Sequence, residues 1–194
     1  MLLLSNVLSA QDVDAAVEVL DSGEYDAARL AARILASLDD HPLFQLAVQP
    51  TRVSAVRFQR FSETGLTAST PNEADTDHQL RRDVSVILCL AREGYIEGGE
   101  LTVDSGFGPT QFALTPGTAV VFPATSGYHV SSVTRGTFWL AQATVESRMR
   151  DAAQREIVYD IGYTIKLLEQ SSQGTPEAAT HLRMCLQSLL QMWG

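Results

Sequence analysis

The 194-residue chain is 45% hydrophobic and 19% charged, enough apolar material for one globular core with a small appendage but too little for two large domains. A formal net charge of −9, with Arg81-Arg82 as the longest basic run, excludes phosphate-backbone binding, whose affinity comes from clustered Lys and Arg. No apolar run approaches the roughly 18 residues of a membrane span. The expectation is a soluble, cytoplasmic protein with neither nucleic acid nor membrane as partner.

Met1-Leu2-Leu3-Leu4 is apolar, lacks a basic flank and is broken by Ser5-Asn6, so it reads as a short strand or helix-entry anchor rather than a signal peptide. Ser9 with Asp12 three residues later is a capping signal, and Val13, Ala16, Val17 and Leu20 follow at helical spacing; this predicts a helix over 9–20. A second helix is predicted from Tyr25 to Leu38, ending before Asp39-Asp40-His41-Pro42. The two form a helical layer.

From Pro50 the period shortens to about 2 and turn residues recur regularly, the rhythm of an all-β sandwich or barrel. Strands are predicted at Val53–Phe61, Val84–Leu90, Leu101–Val103, Gln111–Leu114, Ala119–Phe122, Tyr128–Val133 and Thr137–Val145. Gly98-Gly99, Gly106-Phe107-Gly108-Pro109, Pro116-Gly117 and Arg135-Gly136 supply turns. The polar, unperiodic stretch Ser62 to Gln79 is too long for a hairpin loop and reads as a lid rather than a disordered tip. Arg150–Glu169 and Pro176–Trp193 read as two helices.

The fold class is therefore mainly β with flanking helices: a double-stranded β-helix, or jelly roll, with an N-terminal helical layer over residues 1–148, and a C-terminal helical hairpin over 149–194. The hairpin carries Ile157, Val158, Ile161, Ile165, Leu167 and Leu168, then Leu182, Met184, Leu186, Leu189, Leu190 and Met192, more apolar surface than a solvent-facing pair needs; it either covers the sheet or makes a homodimer. Cys89, in an apolar β run, and Cys185, on the last helix, are expected as reduced, buried thiols.

Gly98-Gly99-Glu100-Leu101, Leu114-Thr115-Pro116-Gly117, Val121-Phe122-Pro123-Ala124-Thr125-Ser126, Val133-Thr134-Arg135-Gly136 and Arg150-Asp151-Ala152-Ala153-Gln154-Arg155 together resemble the PKHD-type hydroxylases, relatives of prolyl 4-hydroxylase. Their order and spacing hold over residues 52–194; Asn6-Val7-Leu8-Ser9 is similar too, but the segment after the first helix is shortened. The resemblance implies an oxygenase that holds iron(II) on a facial triad, opened by His-x-Asp or His-x-Glu, with 2-oxoglutarate on the open face. None of the four histidines starts such a motif: His41 precedes Pro-Leu, His78 Gln-Leu, His129 Val-Ser and His181 Leu-Arg.

Aligning Arg60-Phe61 with the family's Arg-Tyr strand end puts Thr70 and Asn72 at the first two ligands. Counting back from Val133-Thr134-Arg135-Gly136 puts Tyr128 at the distal histidine, with His129 one residue late and on the opposite face. Phe138 falls where a basic residue would clamp 2-oxoglutarate, and Phe61 where a tyrosine would support it. A dicarboxylate without that clamp leaves an unpaired charge. Neither metal nor cofactor is expected, although Asp75, Asp77 and His78 with His129 form an alternative, rearranged ligand set.

Strand parity then points Arg57, Gln59 and Phe61 inward, facing Phe138, Leu140, Gln142 and Thr144, with Tyr128 at the mouth. Such a lining suits a small organic ligand with an apolar body and a few polar groups. Tyr128, Arg57 and His129 are the candidate catalytic residues; Gln59, Phe61, Phe138, Leu140 and Gln142 are candidate substrate contacts. Each has a plainer reading: Arg57 snorkelling to the rim, Tyr128 filling vacated volume, His129 exposed. Three functions stay open: a metal-independent catalyst of cyclisation, isomerisation, elimination or hydrolysis, a non-catalytic binding or accessory protein, and an oxygenase with a rearranged iron site.

Overall fold

Alternation along the β-rich half of the chain gives one antiparallel sheet two different faces. The computed structural model describes residues 1–23, 27–69, 80–94, 96–106, 108–171 and 175–194. In chain order the elements are β1 (Leu2–Leu4), α1 (Ala10–Ser22), α2 (Ala27–Asp39), α3 (Pro42–Val48), β2 (Pro50–Val53), β3 (Arg57–Ser62), β4 (Gly65–Ser69), β5 (Val84–Leu90), β6 (Glu97–Gly98), β7 (Leu101–Ser105), β8 (Gly108–Phe112), β9 (Ala119–Pro123), β10 (Tyr128–Val130), β11 (Val133–Arg135), β12 (Thr137–Ser147), α4 (Ala152–Gln170) and α5 (Pro176–Trp193).

The main sheet runs β1-β9-β5-β12-β3-β4, with β2 also paired to β12; a second sheet runs β10-β7-β8, and β11 pairs β6. On one face of the main sheet Phe58, Val86, Leu88, Val121, Trp139 and Ala141 pack against Val13 and Leu20 of α1, Ile34 of α2 and Phe44 of α3. On the other, Ile87, Cys89, Val120, Phe122, Phe138 and Leu140 meet Leu101, Val103 and Val133 from the small strands. These are the outer helical core and the inner core of a jelly roll. Each Val, Leu, Ile or Phe among them, taken from water, stabilises the fold by about 1.5–3 kcal/mol. β5, covered on both faces, is buried along its whole length.

Local chemistry sets the helix ends. The Ser9 hydroxyl accepts from the Asp12 amide at 3.2 Å to start α1, and Gly23 closes it in the left-handed region at φ 70°. Asp151 caps α4, accepting from Ala153 N at 2.8 Å and Gln154 N at 3.0 Å. The buried Arg155 guanidinium donates to the carbonyls of Met149 (2.6 Å) and Arg150 (2.9 Å), fixing the turn from β12 into α4. Gly162 lets α4 approach α3, since a Cβ there would strike Leu46. No described helix is long and apolar enough to cross a membrane.

Several boundaries differ from expectation. Val53–Phe61 is two strands: Ser54 N–H donates to Thr144 O (2.8 Å) while its hydroxyl accepts from Thr144 N (2.9 Å), so a side chain replaces one rung of the ladder. Tyr128–Val133 divides because β10 pairs β7 whereas β11 pairs β6. The strand expected at Gln111–Leu114 lies at Gly108–Phe112. Pro42, read as a stop, opens α3, where its missing N–H is harmless in the first turn.

The stretch expected to be a lid from Ser62 starts as a hairpin, β4 returning on β3; residues 70–79 of that stretch lie outside the described residues, as do Tyr25 and Phe107. Cys89 is buried as expected, but Cys185 is exposed. The physical reason is that only Ala179 of α5 is fully buried, the helix packing on α4 along one narrow stripe.

Candidate functional site

Three rungs between β3 and β12 build the candidate site. Arg57 pairs with Gln142, Gln59 with Leu140 and Phe61 with Phe138. Two-residue spacing keeps all six on one face, and the buried Leu140 and Phe138 identify that face as the barrel interior. Arg57, Gln59, Phe61 and Gln142 are half-buried, whereas Leu140 and Phe138 are each 1% exposed.

Phe61 and Phe138 stack at 5.5 Å with an interplanar angle of 19°. Gly99 closes over them: its φ of 74° places the backbone so near that a Cβ would stand 2.7 Å from the Phe138 ring. Across the barrel, Tyr128 meets Phe122 edge-on at 5.6 Å. The position that the family resemblance gives to a basic clamp is thus filled by a closed aromatic pair.

Polar groups meet above it. Arg57 Nη2 donates to Gln142 Oε1 at 2.5 Å, and the Tyr128 hydroxyl donates to the same oxygen at 2.9 Å. The polarity is fixed by the guanidinium, which can only donate: the amide atom facing it must be oxygen, so Tyr128, sharing that oxygen, must be the second donor. Among the described residues, the Gln142 amide N–H groups, the remaining Arg57 donors and the Tyr128 lone pairs have no further side-chain partner. Gln59 has no hydrogen-bonding side-chain partner among the described residues.

His129 does not join this group. In β10, Tyr128 faces Val103 and Val130 faces Leu101, both core residues, while His129 pairs with Thr102 and points outward, exposed. Thr70, Asn72, Asp75, Asp77 and His78 lie outside the described residues. Among the described residues no three His, Cys, Asp or Glu gather to hold a metal ion. Cys89 faces the interior beside Leu140, and burial pushes its thiol up to about 12, against the nucleophilic thiolate form.

Sequence reasoning did not assign two contributors. Phe122 supports Tyr128, a role legible in the alternation Val120/Phe122. Gly99 reads from sequence as a turn residue and as part of the segment that resembles the family, and its approach to Phe138 has no signal beyond the glycine pair itself.

The chain is 30% identical to a PKHD-type hydroxylase of Verminephrobacter eiseniae over 224 aligned positions, covering 100% of this chain and 98% of that protein. It is 36% identical over 169 residues to a PKHD-type hydroxylase of Burkholderia ambifaria, covering 82% of this chain and 72% of the relative. Among solved structures, a Pseudomonas putida prolyl-4-hydroxylase superposes with a TM-score of 0.52 at 17% identity, over 75% of this chain and 92% of that one, a likeness of fold. No protein-family model matches the chain.

Proposed function

This chain belongs to the PKHD-type hydroxylase family, and from that premise we propose that its barrel has been converted from iron and 2-oxoglutarate chemistry into a metal-independent site that orients a small organic substrate for cyclisation, isomerisation, elimination or hydrolysis. The observation that carries this reading is the convergence of Arg57 and Tyr128 on Gln142 above the stacked Phe61–Phe138 pair.

The donor set supports it. Iron(II) in a facial triad takes imidazole and carboxylate, whereas the described polar side chains of this group are a guanidinium, two amides and a phenol, which do not fit that ion. In the same way, Phe138 offers a carboxylate of 2-oxoglutarate no partner. What the group can supply is orientation and hydrogen-bond donation to a developing oxyanion, enough to speed an already activated substrate. Arg57 and the Gln142 amide are the donors; Tyr128 can accept a proton contact from substrate, or donate one by leaving Gln142.

That last point favours a second reading, a non-catalytic binding protein, because the Tyr128 proton is already committed to Gln142. Anaerobic titration with iron(II) and 2-oxoglutarate, with metal analysis, tests the conversion. Neither should bind stoichiometrically; iron at one equivalent with a charge-transfer band on adding 2-oxoglutarate would overturn it. Turnover of activated substrates by chelator-treated protein, lowered in Tyr128→Phe or Arg57→Met, separates catalysis from binding.

A further inference from the structure

Arg57 differs from six of the chain's arginines in its company. Arg33, Arg52, Arg60, Arg81, Arg135 and Arg183 each lie against a carboxylate. Arg57, half-buried, has only the neutral Gln142 amide as its side-chain partner among the described residues. In a chain with 23 acidic and 14 basic residues, a cation in a partly desolvated site with no acidic partner among the described residues is a charge open to an anionic ligand.

The surrounding polarity points the same way. With Gln142 Oε1 taken by Arg57 and Tyr128, the hydrogen-bonding capacity that the cluster leaves unused among the described residues is mostly N–H: the remaining guanidinium donors and the Gln142 amide. A donor-rich, cationic site complements an acceptor-rich anion, and a guanidinium fork matches a carboxylate. Four residues along the same strand face lies Phe61, backed by Phe138 and half-buried, so part of its ring is open to a flat apolar group. At about 3.3 Å per residue, Arg57 and Phe61 are roughly 13 Å apart along β3, with Gln59 midway.

Resting on the reading of this mouth as a ligand site, we propose that its ligand is an organic monocarboxylate about 10 Å long, whose carboxylate lies on Arg57, whose flat apolar end lies on Phe61, and whose middle carries an amide-like group that pairs with Gln59.

Hippurate, with a ring, a central amide and a carboxylate, is the probe; N-(2-hydroxyethyl)benzamide replaces the carboxylate by a neutral hydroxyl. Both are titrated into nitrogen-15-labelled protein, following the Arg57 Nε–H and the inner-strand amides, in wild type, Arg57→Met and Arg57→Lys. Hippurate is expected to bind about tenfold or more tightly than the alcohol. Arg57→Met should abolish that advantage while keeping the native spectrum, and Arg57→Lys should retain part of it. Equal binding of acid and alcohol, or an advantage that survives Arg57→Met, overturns the carboxylate assignment while leaving the ligand site standing. If neither compound shifts the inner-strand signals at millimolar concentration, the ligand-site reading falls, and the carboxylate with it.

Discussion

Phe61 and Phe138 are directly cross-strand paired and stacked at 5.5 Å, so the two positions that resemblance gives to a 2-oxoglutarate clamp and its supporting tyrosine form one apolar unit. Restoring the clamp alone should therefore harm the protein. Phe138→Arg places a charge in the apolar inner core beneath Gly99, with no acidic residue among the described members of that core, and should cost about 3 kcal/mol or more in urea unfolding. Phe61→Tyr, at a half-buried position, should change stability by less than about 1 kcal/mol. A stable Phe138→Arg protein that gains 2-oxoglutarate binding would mean that the clamp position is still open.

Gln142 holds two donors with one oxygen, which makes its loss worse than that of either partner. Tyr128→Phe should cost about 1 kcal/mol, and Gln142→Leu somewhat more, since Arg57 and Tyr128 both lose their acceptor. In a double-mutant cycle the two substitutions should couple by at least about 0.5 kcal/mol; strict additivity would argue against the shared acceptor.

The two thiols should separate cleanly. Cys185 should react with a thiol reagent in the native state and Cys89 only after unfolding. Burial raises the Cys89 thiol from 9.0 to about 12, so the folded chain holds a proton that the unfolded chain releases. Stability from this group is fully present below pH 9.0 and is lost as pH rises through about 12. Cys89→Ala should flatten the wild-type decline over that window; identical pH slopes for the two proteins would contradict it.

Arg155 seats the helical hairpin. Burial lowers its pKa, an effect offset in part by Asp83 and Asp151, yet its role is carried by geometry: one nitrogen bridges two carbonyls. Arg155→Met should cost about 2 kcal/mol and speed hydrogen exchange in the first turn of α4 before it affects β5. Uniform acceleration throughout the chain would show that hairpin and barrel open as one unit.

We propose that a second copy of the chain covers the outer hairpin face, where Met184 is 61% and Met192 66% exposed. Sedimentation equilibrium should give a dimer that Met184→Glu with Met192→Glu converts to a folded monomer. A wild-type monomer at micromolar concentration would reject it.

What the sequence revealed depended on the range of the interactions involved. β5 and β9 could be read because strands buried on both faces are short continuous apolar runs, and β12 because its second half alternates; Arg57, Gln59 and Phe61 share a face because successive strand side chains alternate. The Gln142 junction could not be read: parity aims three polar side chains inward, but which atom accepts from which depends on the distance across the barrel. α3 and β4 were missed because Pro42 and Gly65 each suit both an ending and a beginning, and only tertiary packing chooses between them.

β12 lies between β5 and β3, yet it is made of residues 137–147, far along the chain from either neighbour. During synthesis both partners leave the ribosome with an open edge toward the missing strand, and one of them is Val84–Leu90, apolar on both faces. The sheet closes only when the eleven residues of β12 emerge, so this protein completes its barrel late. A nascent chain halted before residue 137 should present a sticky strand edge to chaperones, and one released just beyond residue 147 should not.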